Sequence, residues 1–282
     1  MNAQLQNAAE LTTQTPWHAE LQLQFVAVPG RTVLASRKHV GPLVVQRPFY
    51  PEGEVCHVYM VHPPGGVVGG DHLHLVAKVE EGAHALITTP AATKFYRSPH
   101  NKCAVVEQQL SVKHGVLEWL PQEAIYFDQS VVRTRTRIDF DAESRFIGWE
   151  LSCYGRLACG EGFDHGRIHQ SFELWRNDQP LLLDRLQITG SSVMQQVAWG
   201  LDGRSALGNL LAYPANADDV VAVRECGIDA SQLSCTLVDQ VLVCRCLSAD
   251  GLQLKQQLLK VWQRLRPRIV GREATLPRIW AT

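Results

Sequence analysis

The feature that most constrains this chain is a period of two in its apolar residues. Leu21, Leu23 and Phe25 alternate with polar neighbours, and the pattern returns over 55–61, 73–79, 105–112, 131–140, 146–153, 168–175, 181–188 and 237–246. Successive side chains of a strand point to opposite faces, so such runs bury one face each as strands. Glycine and proline break the runs, and the segments recur roughly every ten residues, which predicts an all-β-dominated body. Helices are few and late. A short one is expected over 218–226, with acidic residues in its first turn and Gly227 at its stop. A clearer one starts near Asp250, carries Leu254, Leu258, Val261, Trp262 and Leu265 at helical period, and is expected to end before Pro267. Its apolar face packs on the chain's own sheet or docks a partner.

With 282 residues, 45% of them hydrophobic, the chain can bury a full core without disulfides or a structural metal. The reading is one domain over 17–282 behind a disordered tail over 1–16, which is rich in Gln, Asn, Ala and Thr. A formal charge of −1 offers no general attraction for nucleic acid or anionic membrane. Arg133, Arg135 and Arg137 form the one conspicuous basic stripe, on one strand face: a solvated face, an edge guard or an anion site. The tail has no apolar core of a signal peptide, and the longest uncharged runs, 55–70 and 186–201, are too rich in Gly, Pro, Ser and Gln to span a bilayer. A cytoplasmic location is the expectation. The eight cysteines are scattered without a Cys-x-x-Cys pair, which suits reduced thiols. Cys244 and Cys246 share a strand face, as two small core residues or half of a metal site.

Searches for a catalytic set come back short. Gly203-Arg-Ser-Ala-Leu-Gly208 misses the nucleophile-elbow spacing by one residue, and Gly65-Gly-Val-Val-Gly-Gly70 lacks the Lys-Ser or Lys-Thr of a phosphate loop. The glycines supply a tight turn with close backbone approach, and Asp71 stands at its exit, where a carboxylate meets a passing cation. His72 and His74 share one strand face but make only a partial ligand set. Glu118, Glu123, Glu150 and Asp184 sit in strongly apolar runs. Alternation would place them on a wet face; if inside, they must be paired or face water or a cation.

Several motifs run in a recognisable order: Val33-Leu-Ala-Ser36, Gly41-Pro42, Arg47-Pro-Phe-Tyr-Pro-Glu52, His62-Pro-Pro-Gly-Gly-Val-Val-Gly-Gly-Asp71, Thr93-Lys-Phe-Tyr-Arg97, Leu117-Glu-Trp-Leu-Pro-Gln-Glu123 and Leu276-Pro-Arg-Ile-Trp280. In these the chain resembles the UreD (UreH) family of urease accessory proteins. Gly155-Arg-Leu157 departs from the Gly-Arg-Pro that the family often carries. The resemblance implies a body of stacked β-strands, β-helix or solenoid-like, with a few α-helices mainly near the C-terminus. It implies a non-enzymatic scaffold that works with UreF and the GTPase UreG on urease apoprotein, with no tightly bound cofactor and Ni²⁺ only in transit. By motif it carries a nickel route onto Asp71, Thr93, Glu150 and Asp184. Weak oxygen ligands suit transit, because imidazole or thiolate capture would stall the ion. The rival reading is a small metal-dependent hydrolase built on Asp71, His72 and His74.

Overall fold

The computed structural model describes residues 16–281. The tail expected to be disordered therefore lies, up to residue 15, outside the described residues. Among the described residues the strands are β1 (His18–Val28), β2 (Arg31–Val40), β3 (Val44–Val45), β4 (Cys56–Val61), β5 (His72–Val79) and β6 (His84–Thr88). They continue as β7 (Thr93–Phe95), β8 (Ala104–Val112), β9 (Val116–Leu120), β10 (Ala124–Tyr126), β11 (Val131–Phe140) and β12 (Arg145–Tyr154). The last are β13 (Arg167–Arg176), β14 (Gln179–Thr189), β15 (Ala206–Tyr213), β16 (Leu233–Val238) and β17 (Val241–Ser248), with helices α1 (Ala217–Arg224) and α2 (Gly251–Ile269).

The strands form two sheets. One has seven strands in the order β14-β13-β11-β8-β5-β1-β2; the other has ten, along the path β16-β17-β15-β12-β9-β6-β4-β3 with β10 and β7 joined beside β12. From β4 to β13 the long strands alternate between the sheets, and within each sheet the neighbours β1, β5, β8, β11 and β13, or β4, β6, β9 and β12, run parallel. Each turn of chain thus lays one strand on each sheet, giving the stacked coils of a β-solenoid-like body. Antiparallel partners β2, β14, β15, β17 and β16 close its ends.

Three layers result. Between the sheets pack Leu21, Phe25, Leu75, Ile138, Phe146 and Phe172. The far face of the ten-stranded sheet is covered by α2, through Leu254, Leu258, Val261, Trp262 and Leu265 against Ile147, Trp149 and Leu151. The amphipathic helix therefore covers its own sheet. The C-terminal segment is tucked there as well: Trp280 stacks on Trp149 at 5.7 Å and its Nε1 donates to Thr88 Oγ1 at 3.1 Å.

Three expectations change. The helix does not stop before Pro267 but runs through it to Ile269. A proline costs a helix one hydrogen bond and some steric conflict; here Arg266 and Ile269 on either side are buried, and Arg145 Nη1 caps the Ile269 carbonyl at 3.2 Å. The apolar run 237–246 is two strands, because Asp239, at φ +52°, and Gln240 turn β16 into β17. The arginine stripe lies on β11 in the interior of the seven-stranded sheet, so it guards no edge. It faces solvent, with Arg135 paired to Glu173 at 2.8 Å and Arg137 to Asp139 at 2.6 Å.

Helix α2 starts where the sequence places it, since the Asp250 carboxylate accepts from Gln253 N at 2.8 Å. Asp250→Ala is expected to lower stability by about 1 kcal/mol, the usual cost of a lost N-cap, read as a small drop in midpoint in urea denaturation.

Candidate functional site

Glu118 and Glu150 sit where alternation alone predicts water, and both are inside. The reason is the third layer: β9 and β12 are covered on both faces, one by the seven-stranded sheet and one by helix α2. Glu118 faces the helix. It is fully buried, accepts from Arg266 at 2.8 Å and from Trp262 Nε1 at 3.1 Å, and lies 2.9 Å from His84 Nε2. Burial by itself would raise its pKa, but His84 and Arg266 outweigh that and bring it down to about 2. Arg266 also reaches Glu52 at 2.8 Å, and Glu52 lies 2.7 Å from His57 Nε2. This cluster ties the helix to three strands, β4, β6 and β9, and is almost closed to solvent.

Glu150 faces the other way, toward the seven-stranded sheet. One inward row of that sheet runs in register through Leu21, Leu75, Gln108, Thr136, Phe172 and Asp184, and the next through Ala19, Leu73, Val106, Thr134, Gln170 and Leu186. The rows begin apolar at β1; the first turns polar at β8 with Gln108 and the second at β11 with Thr134. Opposite them the ten-stranded sheet presents Glu150 and Ser152 from β12 and Asn209 from β15, in register with Glu150. A polar seam therefore crosses an otherwise apolar interior.

The seam is bonded across the sheets. Thr136 Oγ1 lies 2.5 Å from both Glu150 Oε1 and Gln108 Oε1. Gln170 Nε2 donates to Ser152 Oγ at 2.8 Å, and Gln170 Oε1 accepts from Tyr154 OH at 2.8 Å. Asp184 accepts from Asn209 Nδ2 at 2.9 Å and from Arg245 Nη2 at 2.5 Å. Burial pushes the Glu150 carboxyl up to about 7, the Thr136 hydrogen bond opposing and the nearby Asp184 charge adding. Its small accessible surface is cavity surface, because it lies deep in the molecule.

Two voids meet at this carboxyl. The larger, about 480 Å³, is lined by Thr93, Phe95, Gln108, Trp119, Tyr126 and Thr134 among others, and reaches exposed residues Gly65, Ala91 and Lys94 at its mouth. The smaller, about 10 Å³, holds on the order of one water and is lined by Asp184, Asn209 and Phe172. Glu150, Ser152 and Gln170 line both. Beyond the smaller void the Arg245 side chain is 53% exposed, so the seam ends near the surface. Trp119 Nε1, both His62 ring nitrogens and Asn209 Oδ1 are buried along these voids without a protein partner. Such atoms mark where water or a polar guest sits.

Of the four route residues expected from sequence, Thr93 and Glu150 lie on the larger void, and Glu150 and Asp184 on the smaller. Asp71 lines neither. It is 1% exposed, and its two carboxylate oxygens accept from Trp17 N at 2.8 Å and Val68 N at 2.9 Å, which locks the glycine turn. In that turn Gly70 takes φ +100°, and a side chain at Gly69 would strike Ser98 and the Lys102 carbonyl. His72 points to the outer face of the sheet, 3.2 Å from Glu107. Asp71, His72 and His74 do not assemble as the rival hydrolase requires: among the described residues no three His, Cys, Asp or Glu side chains are grouped to hold a metal ion. Among the described residues no helix is long and apolar enough to cross a membrane.

Sequence reading missed Gln108, Thr134, Thr136, Ser152, Gln170 and Asn209. The signal for Thr134 and Thr136 is present, since they alternate with the outward arginines and so point inward. Nothing in the sequence says that the inward face is polar at that point.

Residues 18–281 match the family described as UreD urease accessory protein. The chain is similar to the urease accessory protein UreD of Klebsiella pneumoniae subsp. pneumoniae, with 44% identity over 94% of this chain and 96% of the relative. It is similar to that of Klebsiella aerogenes at 43% over 94% and 97% of the two chains, and to that of Pseudomonas putida strain KT2440 at 41% over 94% and 95%.

Proposed function

The chain belongs to the UreD urease accessory protein family, and from that premise we propose that it conducts Ni²⁺ toward urease apoprotein through the seam between its sheets, as a scaffold held with UreF and UreG. The observation that carries this reading is the continuity of Thr93, Glu150 and Asp184 along two voids that share Glu150. The ion is cargo. Hydroxyl, amide and carboxylate oxygens along the seam offer weak, hard ligands, and no imidazole or thiolate stands at the constriction to arrest a borderline cation. At the mouth, His62 supplies a first polar contact, its pKa lowered by burial against the pull of Asp71. Asp71 serves the route indirectly, by holding the turn that shapes this mouth.

The test is urease activation in cells carrying the whole maturation system, in the cytoplasm, with Glu150→Gln and Asp184→Asn combined. Nickel content and activity of urease are expected to fall at least about 10-fold, the loss of roughly 1.4 kcal/mol or more in ion stabilisation along the route. The amount of the chain, and its co-purification with UreF, are expected to hold. Urease with unchanged nickel would remove the seam from the route.

A further inference from the structure

Cys235 on β16 and Cys244 on β17 are direct cross-strand partners, and their sulfurs lie 3.4 Å apart. The two strands are joined by the two-residue turn at Asp239 and Gln240. Counting out from that turn, Cys235 and Cys244 fall at a position where paired residues exchange no backbone hydrogen bonds and Cα atoms approach to about 4.5 Å. That spacing is inside the range a disulfide spans, so closure needs side-chain rotation and no strand movement.

The two thiols differ. Cys244 is fully buried, whereas Cys235 is partly accessible on the edge strand of the ten-stranded sheet. The Cys244 S–H donates to Cys235 Sγ, which lowers the Cys235 pKa against burial, with Arg224 assisting. Cys235 is thus the more readily ionised thiol of the pair and the one solutes reach, and Cys244 the one poised behind it. The neighbouring cysteines are occupied: Cys246 donates to Gln257 Oε1 at 2.9 Å and Cys226 to the Ala222 carbonyl at 3.5 Å.

We propose that Cys235 and Cys244 form a redox modification site, in which a peroxide converts the pair to an intramolecular disulfide. The Cys235 thiolate attacks one peroxide oxygen, the O–O bond breaks, and hydroxide leaves to take up a proton as water. The sulfur is oxidised to a sulfenic acid. Cys244 then attacks that sulfur, the S–O bond breaks, and the thiol proton leaves with the hydroxyl as a second water. Two thiols and one hydrogen peroxide give one disulfide and two waters. The bond closes between edge strand β16 and β17, one residue from Arg245, the partner of Asp184.

The experiment exposes the purified, reduced full-length chain to sub-millimolar hydrogen peroxide, alkylates the remaining thiols in denaturant and maps peptides without reduction. Two of the eight cysteines are expected to escape alkylation, in one Cys235–Cys244 linked peptide that dithiothreitol releases. In Cys235→Ser the linked product is expected to fall at least ~10-fold and Cys244 to remain alkylatable, since the attacking thiolate is gone. Peroxide that leaves both thiols alkylatable overturns the proposal. So does oxidation of Cys235 to sulfinic acid beside a free Cys244, or prior pairing of other cysteines. The wild-type map decides the matter even if a variant folds poorly.

Discussion

Arg266→Leu is expected to destabilise the protein by about 3–5 kcal/mol, because it leaves buried carboxylates without their cation. Arg266 is fully buried and is the shared partner of Glu118 and Glu52, 148 and 214 residues away in sequence. Its pKa is raised, burial being overcome by those two acids. The thermal midpoint is expected to fall by on the order of 10 °C for a chain of this size. The double variant Arg266→Leu with Glu118→Gln is expected to recover a large part of the loss, since the penalty lies in the orphaned charge.

The pH dependence separates wild type from variant. In the wild type the folded Glu118 carboxyl is depressed from 4.5 to about 2. Its contribution, about 3 kcal/mol, is complete above pH 4.5 and is lost as pH falls toward 2. In Arg266→Leu burial is opposed by His84 alone, so the folded pKa moves up from its wild-type position. As pH falls below 4.5 the variant is then expected to lose less stability from Glu118 than the wild type does, because less of the depression remains to be lost. Urea denaturation of both proteins between about pH 5 and 3 checks the difference. A variant that tracks the wild type at every pH would show that Arg266 carries no such burden.

Ser152→Met is expected to lower urease activation at least about 10-fold without removing any carboxylate from the seam. Ser152 lines both voids and is 3% exposed, at the point where the smaller holds on the order of one water. A methionine there fills the constriction and breaks the hydrogen bond from Gln170. Overpacking of this kind costs about 1–3 kcal/mol, which leaves a chain of this size folded. Nickel content of urease, measured against the amount of accumulated variant, checks the result. Full nickel loading would mean that the ion passes elsewhere. Paired with Glu150→Gln and Asp184→Asn, this variant distinguishes loss of an open path from loss of ligands along it.

The two carboxylates Glu118 and Glu150 show what a sequence conveys and what it withholds. The alternation around each is plain, and it correctly gives strands and which residues share a face. It gives the partners of neither. Glu118 needs a cation from the far end of the chain, and Glu150 needs the inward threonine and glutamine of β8 and β11, which the coil stacking brings opposite. The helix beginning at Asp250 was legible for a local reason, a cap and a 3.6-residue period. Its passage through Pro267 was not, because burial of residues around the proline, a tertiary matter, offsets the lost hydrogen bond.

The sequence by itself determined the strands, the late helices and, through ordered motifs, the kinship with urease accessory proteins, because period, capping and motif are properties of neighbouring residues. The tertiary structure alone decided which strand faces meet water. A third layer over the ten-stranded sheet leaves the second face of β9 and β12 as dry as the first, and so turns Glu118 into an anchor for α2 and Glu150 into the meeting point of two voids. Alternation specifies sides, and only packing specifies what lies on each.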